Sequence, residues 1–333
     1  MGRKSKTAYV PYDYEAAYRH QADMEDERIV QQLLEGKAKK TIYATKEIRA
    51  GEQLEIEIYP EFTKGQIQEI PTEAMKKKQK AAQWNLNEKN SRKMCERVIN
   101  ENFTDRDIWA TLTYTEDNAP GSFEEAQKNM QNYIRRLNYF RKKNGLPALR
   151  YVYVTEYGKQ NGHCHHHIVL DGDMSMDTVE SLWKLGRRNE VRRLKKDENG
   201  LTGMAQYITK EKKQKSQKKW TASKGLRKPA ETVNHYKFRK KDVDEVIRNH
   251  DCLKEKLAIW YGKDGYIFTS QEVRYNDFNG RYYIYARMRK PERSITEWSR
   301  KQGKGHGSSG EEKKGRSGAG GHAKENGSSR SHC

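Results

Sequence analysis

Cysteine is scarce in this chain. The four cysteines among 333 residues, Cys95, Cys164, Cys252 and Cys333, lie far apart and form no CxxC pair. That excludes a zinc ribbon and argues against a disulfide framework, so a reduced, cytoplasmic setting is expected. Long apolar runs are missing as well, and no segment approaches the ~20 residues that cross a bilayer. The opening, MGRKSKTAYVPYDYEAA, lacks the apolar stretch of a signal peptide. Its Met-Gly start carries Lys6 where N-myristoylation wants Ser or Thr. No internal repeat is visible. No G-x-x-x-x-G-K-[ST] loop is present either, so neither a nucleotide cofactor nor a fused helicase is expected.

Acidic residues are too few to balance the basic ones. Lys and Arg number 66 against 46 Asp and Glu, giving a net charge of +20, and there are 20 tyrosines. Basic and aromatic side chains together suit a partner with phosphates and stackable bases. A merely solvated basic surface is the alternative. Hydrophobic and charged residues are 34 % each. This composition can bury a core but not along the whole length.

Residues 1–99 read as a basic accessory region. Within it, TIYATKEIRAGEQLEIEIYPEF (41–62) alternates around Ala50-Gly51 like a β-hairpin. The stretch KKKQKAAQWNLNEKNSRKMCERVINENF has helical spacing and reads as a solvated face without chemistry. Residues 100–290 read as the main domain. DIWATLTYT (107–115) is a strand by its Thr, Trp and Tyr content. Residues 122–145 read as an amphipathic helix, with Ser122 and Glu125 as a capping box and Gly145 as terminator. LRYVYVTEYG (149–158) and the histidine segment 163–170 are two more strands, joined by a turn with Gly158, Asn161 and Gly162. A short helix at 177–185, a basic strand at 190–195 and a helix capped by Thr202 follow. Next come a basic, aromatic loop (217–230), a helical stretch from His235 and tyrosine-rich strands up to Arg289. From Pro291 to Cys333 the chain is rich in Gly, Ser and Lys and reads as a disordered tail. Strands exceed what βαβ alternation needs. An α+β fold with a central, mainly antiparallel sheet flanked by helices is therefore expected.

Four of the ten histidines fall within residues 163–167. On a strand, His163, His165 and His167 share one face, and Cys164 and His166 the other. Imidazoles two residues apart lie roughly 6.5–7 Å apart by strand rise, close enough to share one metal ion. Glu156, at the end of the neighbouring strand, is brought near them by the hairpin. Two His and one carboxylate leave open coordination positions, as a catalytic metal needs. In QYITKE, Tyr207 and Lys210 face the same way on a helix. A tyrosine oxygen can attack a phosphodiester and keep the phosphate covalently.

Taken together, WATLTYT, TEYGKQNGHCHHHIVL and YITK, in that order over residues 107–213, resemble the three motifs of the HUH endonucleases. The rolling-circle replication initiators (Rep proteins) of phages, plasmids and related mobile elements are the most similar group. The resemblance implies a metal site of His165, His167 and Glu156 holding Mg or Mn, with Tyr207 as nucleophile and Lys210 as its partner. It implies nicking and rejoining of single-stranded DNA at a replication origin through a 5′-phosphotyrosine. A helicase and a polymerase, from host or element, would be separate partners, and no membrane is involved. This sequence departs from the family at His166, where an apolar residue is usual. The frame His163/His165, enclosing Cys164, is the alternative. Other readings are a relaxase, a transposase or a non-catalytic DNA-binding protein. The relaxase fits less well because Tyr207 follows the histidines, the transposase because its chain is typically far shorter.

Overall fold

A computed structural model describes residues 20–21, 42–61, 73–157, 163–187, 189–210, 217–276 and 281–291, all within one unit that ends at Pro291. Strand β1 (His20–Gln21) precedes the hairpin of β2 (Ile42–Ala50) and β3 (Gln53–Glu61). This is the hairpin expected around Ala50-Gly51. Gly51 turns it at φ +58, and an added Cβ would run into the Asn100 carbonyl. Helix α1 (Glu73–Asn102) follows, then β4 (Ile108–Leu112).

Helix α2 (Phe123–Lys143) begins at Ser122, whose side chain accepts from the Glu125 amide. The capping box is only half formed, because the Glu125 carboxylate accepts from the Gly121 amide and not from Ser122. Strands β5 (Tyr151–Tyr157) and β6 (Cys164–Leu170) pair antiparallel as expected. The turn assigned to Gly158, Asn161 and Gly162 lies outside the described residues. Helix α3 (Met176–Ser181), β7 (Glu190–Arg193) and helix α4 (Thr202–Ile208) come next. The expected loop at 217–230 contains the short β8 (Thr221–Ala222) and leads into β9 (Ala230–Asn234). The helical stretch from His235 is divided into α5 (Lys240–Arg248) and α6 (Asp251–Tyr261). Strands β10 (Ile267–Asn276) and β11 (Arg281–Arg289) complete the described chain. The tail beyond Pro291 lies outside it.

The expected α+β fold, antiparallel sheet flanked by helices, is present, with its strands divided between two antiparallel sheets. The larger has the order β1-β10-β11-β3-β2-β9, and the smaller β7-β4-β6-β5-β8. The hairpin 42–61, expected in an accessory region, thus sits at the middle of a sheet completed by residues 230–289. Helices α5 and α6 bury Val243, Val246, Leu253 and Leu257 against Leu54, Ile56 and Ile284 of the larger sheet. On the smaller sheet, Met130, Tyr133 and Leu137 of α2 pack on Ile108, Ala110 and Ile168. Burying each large apolar side chain contributes about 1.5–3 kcal/mol. The opposite face of that sheet carries Val152, Val154 and Val169, which pack on Cys95, Val98 and Ile99 of α1 and on Ala205 and Ile208 of α4. This second face holds the residues singled out above.

Candidate active site

The ladder of the smaller sheet decides which side chains meet. Directly opposed residues of an antiparallel pair point to the same face. Glu156 of β5 opposes His165 of β6, while Val154, His167 and Thr111 stand abreast on β5, β6 and β4. Glu156 Oε2 lies 3.3 Å from His165 Nε2 and 3.6 Å from His167 Nε2. The two imidazole centroids are 5.0 Å apart. One ligand atom from each of the three residues falls within 4.8 Å of the others. Glu156 and His167 are buried, and His165 is partly exposed.

The donor set fits a divalent cation. Glu156 Oε1 and His167 Nε2 are buried, and neither has a hydrogen-bond partner among the described residues. Buried polar atoms left open in this way are costly unless something else satisfies them. The far nitrogens are occupied: His167 Nδ1 lies 3.1 Å from Thr111 Oγ1, and His165 Nδ1 lies 3.4 Å from the His163 carbonyl. A carbonyl and a carboxylate both only accept, so the His165 proton can sit on either nitrogen, and placing it on Nδ1 frees the Nε2 lone pair for a cation. Burial pushes the Glu156 carboxyl up, but a hydrogen bond from His165 and the charge that both imidazoles can carry more than offset this. The carboxyl is held down at about 2. His163 is exposed and stands outside the cluster, so the geometry assembles the His165/His167 frame.

Tyr207 is carried to this cluster by α4. Its ring centroid is 5.8 Å from that of His167 and 6.0 Å from that of Trp109, and the residue is 48 % exposed. The helix ends sooner than expected. Thr209 turns its hydroxyl back to the Ala205 carbonyl at 2.8 Å, and Lys210 lies beyond the last helical residue. A final tight turn, with the Lys210 amide 3.4 Å from the Tyr207 carbonyl, still brings the side chains together. Lys210 Nζ sits 3.8 Å from the Tyr207 ring centroid, over the ring face. Thr202 does not cap the helix: Leu201 holds the N-cap position, and the Thr202 hydroxyl accepts from Asn100 instead.

A cleft of about 580 Å³ opens over the cluster, lined by Trp109, Thr111, His165, His167, Tyr207 and the β7 side chains Glu190, Arg192 and Arg193. The Arg192 guanidinium lies 4.3 Å from the Trp109 ring centroid, and its Nη1 is 3.2 Å from Glu190 Oε1. Trp109 Nε1 is a further buried donor without a partner among the described residues. A second cleft, about 980 Å³, shares His165 and runs past His163, Thr113, Lys184 and Arg187.

The five residues singled out from the sequence, Glu156, His165, His167, Tyr207 and Lys210, are thus brought to one place. Thr111, Trp109 and Arg192 had been given no role. Strand alternation and the pairing of β4 with β6 would have put Thr111 and Trp109 on the His167 face. Arg192 would have needed the register of β7.

Residues 107–212 match the family model described as Replication-associated protein ORF2/G2P. The match spans the smaller sheet as far as α4 and supports a Rep-like replication initiator. No curated protein and no solved structure gives a match. Among the described residues, no helix is long and apolar enough to cross a membrane.

Proposed function

We propose that this chain is a rolling-circle replication initiator of the HUH endonuclease type, which nicks and rejoins single-stranded DNA at a replication origin. One observation carries the reading: the half-exposed Tyr207 ring stands 5.8 Å from His167, at a buried cluster with two open ligand atoms. Glu156, His165 and His167 would hold a divalent ion, and their mixed oxygen and nitrogen donors suit Mn²⁺ and admit Mg²⁺. A bound ion supplies Lewis-acid polarisation of the scissile phosphate.

The side chains account for the rest. Tyr207 Oη attacks phosphorus, the bond to the 3′ oxygen breaks, and the phosphate stays on Tyr207 as a 5′-phosphotyrosine. The phenol proton passes to solvent, and the departing 3′ oxygen takes up a proton from solvent and leaves as a hydroxyl that can prime synthesis. The Lys210 ammonium, 3.8 Å from the Tyr207 ring centroid, would offset negative charge as it develops in the transition state. Rejoining reverses the step by attack of a 3′ hydroxyl on the phosphotyrosine. Arg192 on Trp109 adds positive charge and a flat surface for a single strand. Both clefts have His165 in their lining, which suits a strand passing on either side of the cut.

The test is an origin-derived oligonucleotide incubated with Mn²⁺, followed by mass spectrometry of the covalent adduct. Tyr207→Phe keeps the ring and loses the oxygen. It should fold and bind DNA but form no adduct, and Lys210→Ala should slow cleavage without abolishing it. An adduct on another tyrosine would overturn the assignment.

A further inference from the structure

Helix α1 came from a stretch with no chemistry of its own, yet it grips the helix that carries Tyr207 at three successive turns. Arg92, Glu96 and Asn100 stand four residues apart and so form one stripe on α1. Asn100 meets the start of α4. Its Oδ1 accepts from the Leu201 amide at 2.9 Å, and its Nδ2 donates to Thr202 Oγ1 at 3.1 Å. Glu96 meets the middle, with Oε2 accepting from Gln206 Nε2 at 3.3 Å. Arg92 meets the chain leaving α4, donating to the Lys210 carbonyl at 3.4 Å. Between these contacts Cys95, Val98 and Ile99 pack with Leu201, Ala205 and Ile208.

Two further features make this grip matter. Helix α4 has seven residues and an N-cap without a side-chain hydrogen bond. Helices this short are not stable by themselves, and their first amides need outside partners. Helix α1 is itself fixed from the larger sheet. Arg97 donates to both Glu55 oxygens at 3.2 and 2.7 Å, and Glu101 accepts from the Gly51 amide at 2.6 Å. At Gly200, φ +70, an added Cβ would lie 2.7 Å from Asn100 Oδ1 and 2.9 Å from Gln53 Nε2. The turn into α4, helix α1 and strand β3 therefore meet with no room for a side chain.

We infer that Arg92, Glu96 and Asn100 are positioning residues, through which the larger sheet and α1 fix where Tyr207 stands relative to His165, His167 and Glu156. The inference rests on the proposed role of Tyr207. Its consequence is that residues outside the matched segment 107–212 set the rate of the reaction without touching DNA.

The experiment compares full-length wild type with Asn100→Ala, Glu96→Ala and Glu96→Gln. Amide hydrogen exchange is measured without DNA or metal, and single-turnover cleavage at saturating oligonucleotide, with affinity measured separately. In Asn100→Ala, amides 201–208 should exchange about tenfold faster while those of β5 and β6 are unchanged. Cleavage should slow about tenfold or more, with affinity kept within about twofold, because a small misplacement of a reacting group costs rate and not binding. Glu96→Gln retains an oxygen that accepts from Gln206 and should restore both readouts, whereas Glu96→Ala should not. Should Asn100→Ala fail to fold, Asn100→Asp keeps the acceptor for Leu201 and drops the donor to Thr202, and it should give the same changes at smaller size. Unchanged exchange, or a rate loss matched by an equal affinity loss, overturns the inference. If wild type does not cleave at all, the role of Tyr207 falls, and the exchange data alone decide whether α1 holds α4.

Discussion

His166 and His167 are adjacent on β6 and face opposite sides of the smaller sheet. On the α2 side, both nitrogens of His166 are engaged, with Tyr114 Oη at 2.7 Å from Nε2 and Thr155 Oγ1 at 2.9 Å from Nδ1. The chain of bonds runs on through Gln127 to Tyr153, at 3.1 and 2.6 Å. On the α4 side, His167 is engaged at Nδ1 alone, and Nε2 is buried without a partner among the described residues. A run of histidines therefore does not by itself mark a metal site. What sets His167 apart is a buried nitrogen with spare ligand capacity, beside Glu156 and His165 in a cluster that could hold a metal ion. His166, by contrast, is hydrogen-bonded into a polar chain of its own.

Exchanging the two fates is the strongest test. His167→Ala should abolish measurable cleavage, a loss of about 10³-fold or more, which corresponds to at least ~4 kcal/mol of barrier. Calorimetric binding of Mn²⁺ should vanish with it. His166→Ala should do the reverse. It removes two buried hydrogen bonds, so unfolding free energy should fall by about 1–3 kcal/mol, and Mn²⁺ should still bind. If His166→Ala loses the ion and His167→Ala keeps it, the two faces have been read the wrong way round.

A smaller effect should appear in acid. The metal-free Glu156 carboxyl is held at about 2, below its ordinary value of 4.5. A lowered folded-state pKa gives stability that is fully present above the unfolded pKa and is lost as pH falls toward the folded one. Between pH 4.5 and about 2, metal-free wild type should therefore lose on the order of 2–3 kcal/mol from this group. Glu156→Gln has no carboxyl to titrate, so its stability should decline less steeply over that window in urea unfolding measured at each pH. Parallel curves for the two proteins would show that the imidazoles do not hold the carboxylate.

Much of this was legible because it is local. Alternation in DIWATLTYT, the spacing after Ser122 and the two runs flanking the hairpin turn each report on neighbours in sequence. The hairpin then carries Glu156 to His165 by register alone. What was not legible depends on residues far apart in the chain. Thr202 looked like an N-cap because threonine before an apolar run often is one. Leu201 holds that position, and the Thr202 hydroxyl accepts instead from the Asn100 amide, which reaches it from α1. The helix holding Tyr207 looked longer because nothing in the sequence shows Thr209 bonding back to Ala205. The larger sheet joins residues 42–61 to 230–289, and no periodicity announces a partner so distant.

The finest test concerns the one nitrogen that His167 does have engaged. Thr111 Oγ1 lies 3.1 Å from His167 Nδ1. When the hydroxyl accepts the Nδ1 proton, the ring is fixed in the tautomer that leaves the Nε2 lone pair for a ligand. Valine is close to isosteric with threonine and equally at home in a strand, so Thr111→Val removes the hydroxyl and little else. The ring is then free to place its proton on Nε2 and must give it up before binding. Mn²⁺ affinity should drop about tenfold, or ~1.4 kcal/mol, the low end for loss of an outer hydrogen bond to a metal ligand. Because occupancy and not chemistry is changed, cleavage should recover at saturating Mn²⁺. An unchanged affinity would mean that burial alone orients His167. A cleavage defect that persists at saturation would instead place the Thr111 hydroxyl against the substrate.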